Sequence, residues 1–201
     1  QGYDPNRDQD LGVLGGNLGE EQSEMAQVSP FSFLVGPVQV AFDSQAANYV
    51  HPDLDTLIDT KRRVLTSLTG QLSWDWGNGL VTLDAPRAQG VVGALASQNS
   101  FALQDITVES DANYASIVVV PLDGSPIADS ARLLVQINSI ARPTGWRAQP
   151  VDHEGGQALE VTAFGEAPWQ IDRVKALLSV RNNSLSRATA LDANGMAIGS
   201  I

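Results

Sequence analysis

Gln71-Leu72-Ser73-Trp74-Asp75-Trp76-Gly77-Asn78-Gly79-Leu80-Val81-Thr82-Leu83 is the stretch that decides the fold. Two short runs, each with branched or aromatic residues, flank a Gly-Asn-Gly turn. Residues that reach positive φ cheaply at the centre of such a pair make a β-hairpin. Neither run is long enough to nucleate a helix. The same pattern continues downstream through 90–95, 101–108 and 116–122, where the branched run Ile117-Val118-Val119-Val120 predicts a strand buried on both faces. Residues 132–140 set Leu133, Val135 and Ile137 against Gln136 and Asn138, the alternation of a half-buried strand. Residues 159–163, 169–171 and 174–180 follow, then a last hairpin turning at Asp192-Ala193-Asn194-Gly195. Upstream, 37–42 alternates in the same way, and 43–60 reads as a polar connection.

About eleven short strands with turns at intervals of roughly 8–12 residues indicate an all-β fold, a β-sandwich or an irregular barrel, and the reading adopted is an antiparallel β-sandwich of jelly-roll-like type. A chain of 201 residues suits one such domain, assigned here to 31–201. Residues 1–30, rich in Gly, Asp, Glu and Gln and without a period, read as a loop-rich N-terminal extension.

Composition narrows the function. Asp and Glu outnumber Lys and Arg by 23 to 12, a formal charge of −11 that repels phosphate backbones and anionic lipid, so nucleic acid is not an expected partner. No apolar run approaches the roughly 18 residues of a membrane span, so membrane insertion is not expected. With no cysteine, thiolate catalysis and thiolate metal sites are excluded. The chain starts at Gln1 with no signal-peptide core and reads as a fragment or a processed product.

Catalytic sets are incomplete. There is no Gly-x-Ser-x-Gly elbow and no phosphate-cradling glycine motif, and the two histidines, His51 and His153, lie in polar stretches that read as loops. Paired-carboxylate glycoside hydrolysis needs two facing acids about 5–9.5 Å apart. Asp75, Asp84, Glu109 and Glu160 are the candidates, although acids beside strand ends ordinarily form turns or sit on exposed edges. The chain alone is therefore expected to be non-catalytic. Asp4, Asn6, Asp8 and Asp10 place oxygen ligands at alternate positions, as a Ca2+ loop does. Gln9 stands at the glycine position and Gly15 at that of the bidentate glutamate, so an acidic tail is the plainer reading. No other cofactor is expected.

The tryptophans remain. An exposed indole offers a flat apolar face to the C–H face of a sugar ring, and Trp76, Trp146 and Trp169 are the carbohydrate-binding candidates. Trp74 and Trp76, two apart, leave the same face of an extended strand. Leu72 shares that face, which predicts burial for Trp74 and a partly open Trp76 beside the turn. Trp146 follows Pro143-Thr144-Gly145, and Trp169 follows Pro168, both turn-like settings. Asn182-Asn183-Ser184 is a glycosylation sequon.

The block Thr69-Gly70-Gln71-Leu72-Ser73-Trp74-Asp75, with Leu80-Val81-Thr82-Leu83-Asp84-Ala85-Pro86-Arg87-Ala88-Gln89-Gly90-Val91-Val92-Gly93, resembles one in the C-terminal β-sandwich accessory region of large bacterial secreted glycoside hydrolases of cellulase-like type. Arg132-Leu133-Leu134-Val135 and Thr144-Gly145-Trp146 are similar to the strand and turn that follow it there, and 33–42 is a weaker match. The likeness covers about residues 30 to 200, with only 69–93 specific, and Pro143 departs from it where a polar turn residue is expected. It implies an extracellular or cell-surface location and a non-catalytic accessory module that binds polysaccharide or packs on an adjacent catalytic domain. The family's catalytic acids are expected in an upstream barrel, so none is carried over to this chain. The alternatives are a structural domain of an extracellular or cell-surface assembly, or a self-contained glycosidase using the acids above.

Overall fold

The computed structural model describes residues 31–38, 54–153 and 156–200. Two single helical turns, α1 (Ser32–Val35) and α2 (Leu54–Leu57), precede β1 (Ile58–Asp59), β2 (Val64–Thr66), β3 (Leu72–Asp75), β4 (Leu80–Ala85) and β5 (Ala88–Gly93). After them come β6 (Ser100–Ala102), β7 (Ile106–Glu109), β8 (Ala115–Pro121) and β9 (Leu133–Ser139). Four strands, β10 (Ala141–Thr144), β11 (Arg147–His153), β12 (Gly156–Ala163) and β13 (Glu166–Ile171), lead to β14 (Leu177–Val180), β15 (Thr189–Leu191) and β16 (Ala197–Ser200). Of the described residues 51% are strand and 7% helix, and the fold is an all-β antiparallel sandwich. Its largest sheet has the order β1-β2-β3-β4-β5-β8-β9.

The chain divides into two compact units, Gln1–Thr82 with Ile140–Arg173, and Leu83–Ser139 with Val174–Ile201. The predicted extension over 1–30 lies outside the described residues, as do 39–42 of the predicted first strand.

In the first unit, Val35, Leu65 and Trp76 are buried, and Phe31, Leu54, Leu57, Ile58 and Trp74 pack around them. Phe31 stacks on Trp76 at 5.0 Å, and Trp74 lies 5.5 Å from Trp76. The hairpin turn forms as its sequence requires. Asp75 accepts hydrogen bonds from the Asn78 backbone (2.9 Å) and side chain (2.8 Å), which fixes the chain reversal locally. Residues 54–57, read as part of a connection, make one helical turn because Leu54 and Leu57 have this cluster to pack on.

In the second unit, β5 and β8 pair with Gln89 opposite Val119, Val91 opposite Ile117 and Gly93 opposite Ala115, so one face of the ladder is fully buried. Phe101, Ile106 and Val108 of β6 and β7 complete that core with Leu95 and Ile127, each large apolar side chain contributing about 1.5–3 kcal/mol. Gly90 is required here. A Cβ on it would collide with the Ile117 carbonyl oxygen and lie 2.8 Å from the Val118 Cα. The stretch 117–120 is buried fully on one face and partly on the other, rather than fully on both. β9 departs further from expectation. Val135 and Ile137 share a face with Val119 and Ile117 yet are exposed, and β9 is the last strand in the sheet order.

Candidate functional site

Ile140 to Asp172 forms a two-stranded ribbon. β10 pairs with β13 and β11 with β12, with register shifts at Pro143/Thr144 and Arg147/Ala148. At the interruption, Gly165 has φ +71, and a Cβ there would strike the Thr144 carbonyl oxygen and lie 2.7 Å from the Trp146 nitrogen, so only glycine closes the ribbon. Thr144 Oγ1 donates to the Pro168 carbonyl (2.6 Å), and the Trp146 N–H donates to the Pro143 carbonyl (3.1 Å). The Arg142 guanidinium lies 4.4 Å above the Trp146 ring, a cation–π contact worth about 0.5–1 kcal/mol at an exposed site. Its ion pair with Asp172, at 3.9 Å and solvent-facing, adds little.

The register sorts the ribbon's faces. Ala141 lies opposite Ile171 and Pro143 opposite Trp169, so these four leave one face, while Arg142 and Gln170 leave the other. In the outer half, Ala148 opposite Val161 and Pro150 opposite Leu159 share one face, and Gln149 bonds Glu160 (2.9 Å) on the other. Each half thus carries an apolar face, and these faces are largely open: Trp169 is 67% and Ile171 71% exposed, with Leu159 also exposed and Phe164 exposed at the interruption.

Of the three candidate indoles, Trp169 alone is a free platform. Trp146 is half-buried under Arg142, and Arg142 and Trp169 belong to opposite faces. Trp76 requires a correction. Expected to be partly open, it is 8% exposed and more buried than Trp74, because β3 ends at Asp75, the two-residue period stops there, and Phe31 covers the ring. Leu72, expected to share a buried face, is exposed.

The carboxylate candidates have local tasks. Asp75 holds the hairpin turn, Asp84 accepts from the Gln104 N–H (2.9 Å), Glu160 accepts from Gln149, and Glu109 sits exposed on β7 opposite Ser100 and Leu177. Asp123 is shifted in its ionisation. The Ser125 N–H foremost, then the Ala131 N–H (2.8 Å), hold its carboxyl below the usual carboxylate value. Among the described residues no group of three or more acidic or histidine side chains could hold a metal. Asp4, Asn6, Asp8, Asp10 and His51 lie outside them, and His153 ends β11 opposite Gly156. No helix among the described residues is long and apolar enough to cross a membrane.

The sequence reading overlooked Ile171, Leu159 and Phe164 as site residues. Their signal is weak in principle, since an exposed branched residue looks the same in a sequence as a buried one.

The block 69–93 is occupied with folding. Gln89, fully buried, donates to Asp105 Oδ2 (3.0 Å) and accepts from the Asp105 N–H (2.8 Å), and the Pro86 carbonyl accepts from the Ile127 N–H (2.8 Å). The sequon is also engaged, as Asn182 Nδ2 donates to the carbonyls of Ile127 (2.6 Å) and Ser130 (2.8 Å). No family, curated protein or solved structure matches this chain.

Proposed function

We propose that this chain is a non-catalytic accessory module of a secreted carbohydrate-active enzyme and packs on the adjoining catalytic domain through the β10–β13 ribbon. The observation that carries the docking half is the open apolar face formed by Trp169 and Ile171 with Ala141 and Pro143. A two-stranded ribbon is marginal in water by itself, and a branched, aromatic face on one is what a protein partner covers. The carbohydrate context rests on the resemblance of the 69–93 block.

The neighbours of Trp169 favour a protein over a sugar. Ile171, Pro143 and Ala141 offer no hydrogen bonds from their side chains, whereas sugar recognition needs polar groups around the ring. Polysaccharide binding is the second reading, favoured by the exposed Trp169 indole itself. Calorimetry of the chain against the catalytic domain encoded in the same gene tests the first. Micromolar binding that falls tenfold or more in a Trp169→Asp/Ile171→Asp variant supports it, and no binding by the unaltered chain removes it. Titration with cellulose, xylan, mannan and agar-type oligosaccharides, read by tryptophan fluorescence, tests the second. A response lost in Trp169→Ala would support it.

A further inference from the structure

Where β7 and β14 pair, Thr107 lies opposite Ser179, and Arg181, just past the end of β14, donates its backbone N–H to the Asp105 carbonyl (2.7 Å). A cleft of about 300 Å³ opens there, its lining including Leu103, Gln104, Thr107, Ser179 and Arg181. That volume stands at the lower end of ligand pockets, which run from roughly 300 to 1,000 Å³.

The guanidinium is held from inside the sandwich. Its Nη2 donates to Asp105 Oδ1 (2.7 Å) and to the Gln104 carbonyl (2.9 Å). Asp105 is 3% exposed and is fixed in turn by the fully buried Gln89, while the Arg181 side chain is 74% exposed. Holding β14 in place accounts for Nη2. It leaves the N–H groups of Nε and Nη1 without a partner among the described residues.

The chemistry of what remains is specific in two respects. Asp105 cancels the charge of Arg181, so the cleft offers an anion little net attraction. Nη2 belongs to both edges of the fork by which a guanidinium grips a carboxylate or phosphate with two parallel bonds, and it is already taken. The free groups are single N–H donors and two hydroxyls, which donate and accept, beside the apolar Leu103 side chain. This set suits a neutral ring with a hydroxylated rim and a C–H face.

We propose that this cleft is a binding subsite for a neutral sugar ring. It uses none of the tryptophans, since Trp74, Trp76, Trp146 and Trp169 all belong to the first unit and the cleft to the second. Its failure is therefore independent of the ribbon reading.

The test is a titration of the full chain with cello- and manno-oligosaccharides, and in parallel with oligogalacturonate, read by amide NMR shifts. Saturable, millimolar shifts at Thr107, Ser179 and Arg181 with a neutral sugar are expected. Binding should fall at least fivefold in Ser179→Leu, which removes one hydroxyl and puts an apolar side chain in the cleft, and should persist in Trp169→Ala. Absence of shifts at these residues, full binding by Ser179→Leu, or tighter binding of the uronate would each overturn the proposal.

Discussion

The β5–β8 ladder and the β10–β13 ribbon are built from the same kinds of residues and end in opposite conditions. Ile117 and Val119 are wholly inaccessible to solvent, whereas Ile171 and Trp169 stand in it. Both regions alternate, and both pair antiparallel. The difference is the second layer. β5 lies against β7, whose Ile106 and Val108 close the core, while each half of the ribbon is a sheet of two strands. An apolar stripe thus establishes a strand and one of its faces, but its cover comes from chain that is distant in sequence.

The sharpest way to break that comparison is to truncate one isoleucine in each region. Ile117→Ala is expected to destabilise the chain by about 2–5 kcal/mol, through lost burial and the cavity left behind. Ile171→Ala should change it by no more than about 0.5 kcal/mol, as at an open surface position. Urea unfolding followed by far-UV circular dichroism measures both, because the tryptophans all lie outside the unit that holds Ile117. A large loss from Ile171→Ala would mean that the ribbon face is covered in solution and would remove the ground for docking there.

The comparison also explains what the sequence could and could not disclose. The hairpin between β3 and β4 was legible because Asp75, Asn78 and the glycines make the turn within six residues of one another. β10 and β11 were missed because Pro143 and Pro150 argue against a strand. In a two-stranded ribbon both strands are edges, so a residue without an N–H is tolerated where its nitrogen faces outward. Trp76 was misread for the opposite reason, since its cover, Phe31, enters from 45 positions upstream. Trp169 is exposed because no described strand covers its face, and nothing local to Pro168-Trp169-Gln170 reports that.

A second prediction sharpens the contrast at the rim of the sandwich, which polar atoms pin. Asn182→Ala leaves the carbonyls of Ile127 and Ser130 without their donor and should cost about 1–3 kcal/mol in the same urea experiment. The same geometry bears on the sequon. Both hydrogens of the Asn182 amide are donated inward, so a glycan on Nδ2 would replace one of these bonds and should lower stability in the same urea experiment.

The smallest effect concerns Asp123, in the loop that also carries Ile127 and Ser130. Its folded-state carboxyl is held below the ordinary value of 3.8, chiefly by the Ser125 N–H. A depressed carboxyl favours the folded chain once pH is above the unfolded value, and that contribution is lost as pH falls through the lower folded value. The loss therefore belongs to the acid side of 3.8 and leaves neutral pH untouched. Because the group is fully exposed, solvent screens it and the change in stability should be slight. Carboxyl-carbon NMR in an acid titration reads the midpoint directly. A midpoint at or above the ordinary aspartate value would show that the Ser125 and Ala131 bonds do not persist in solution, and would place this loop nearer to the open ribbon than to the pinned core.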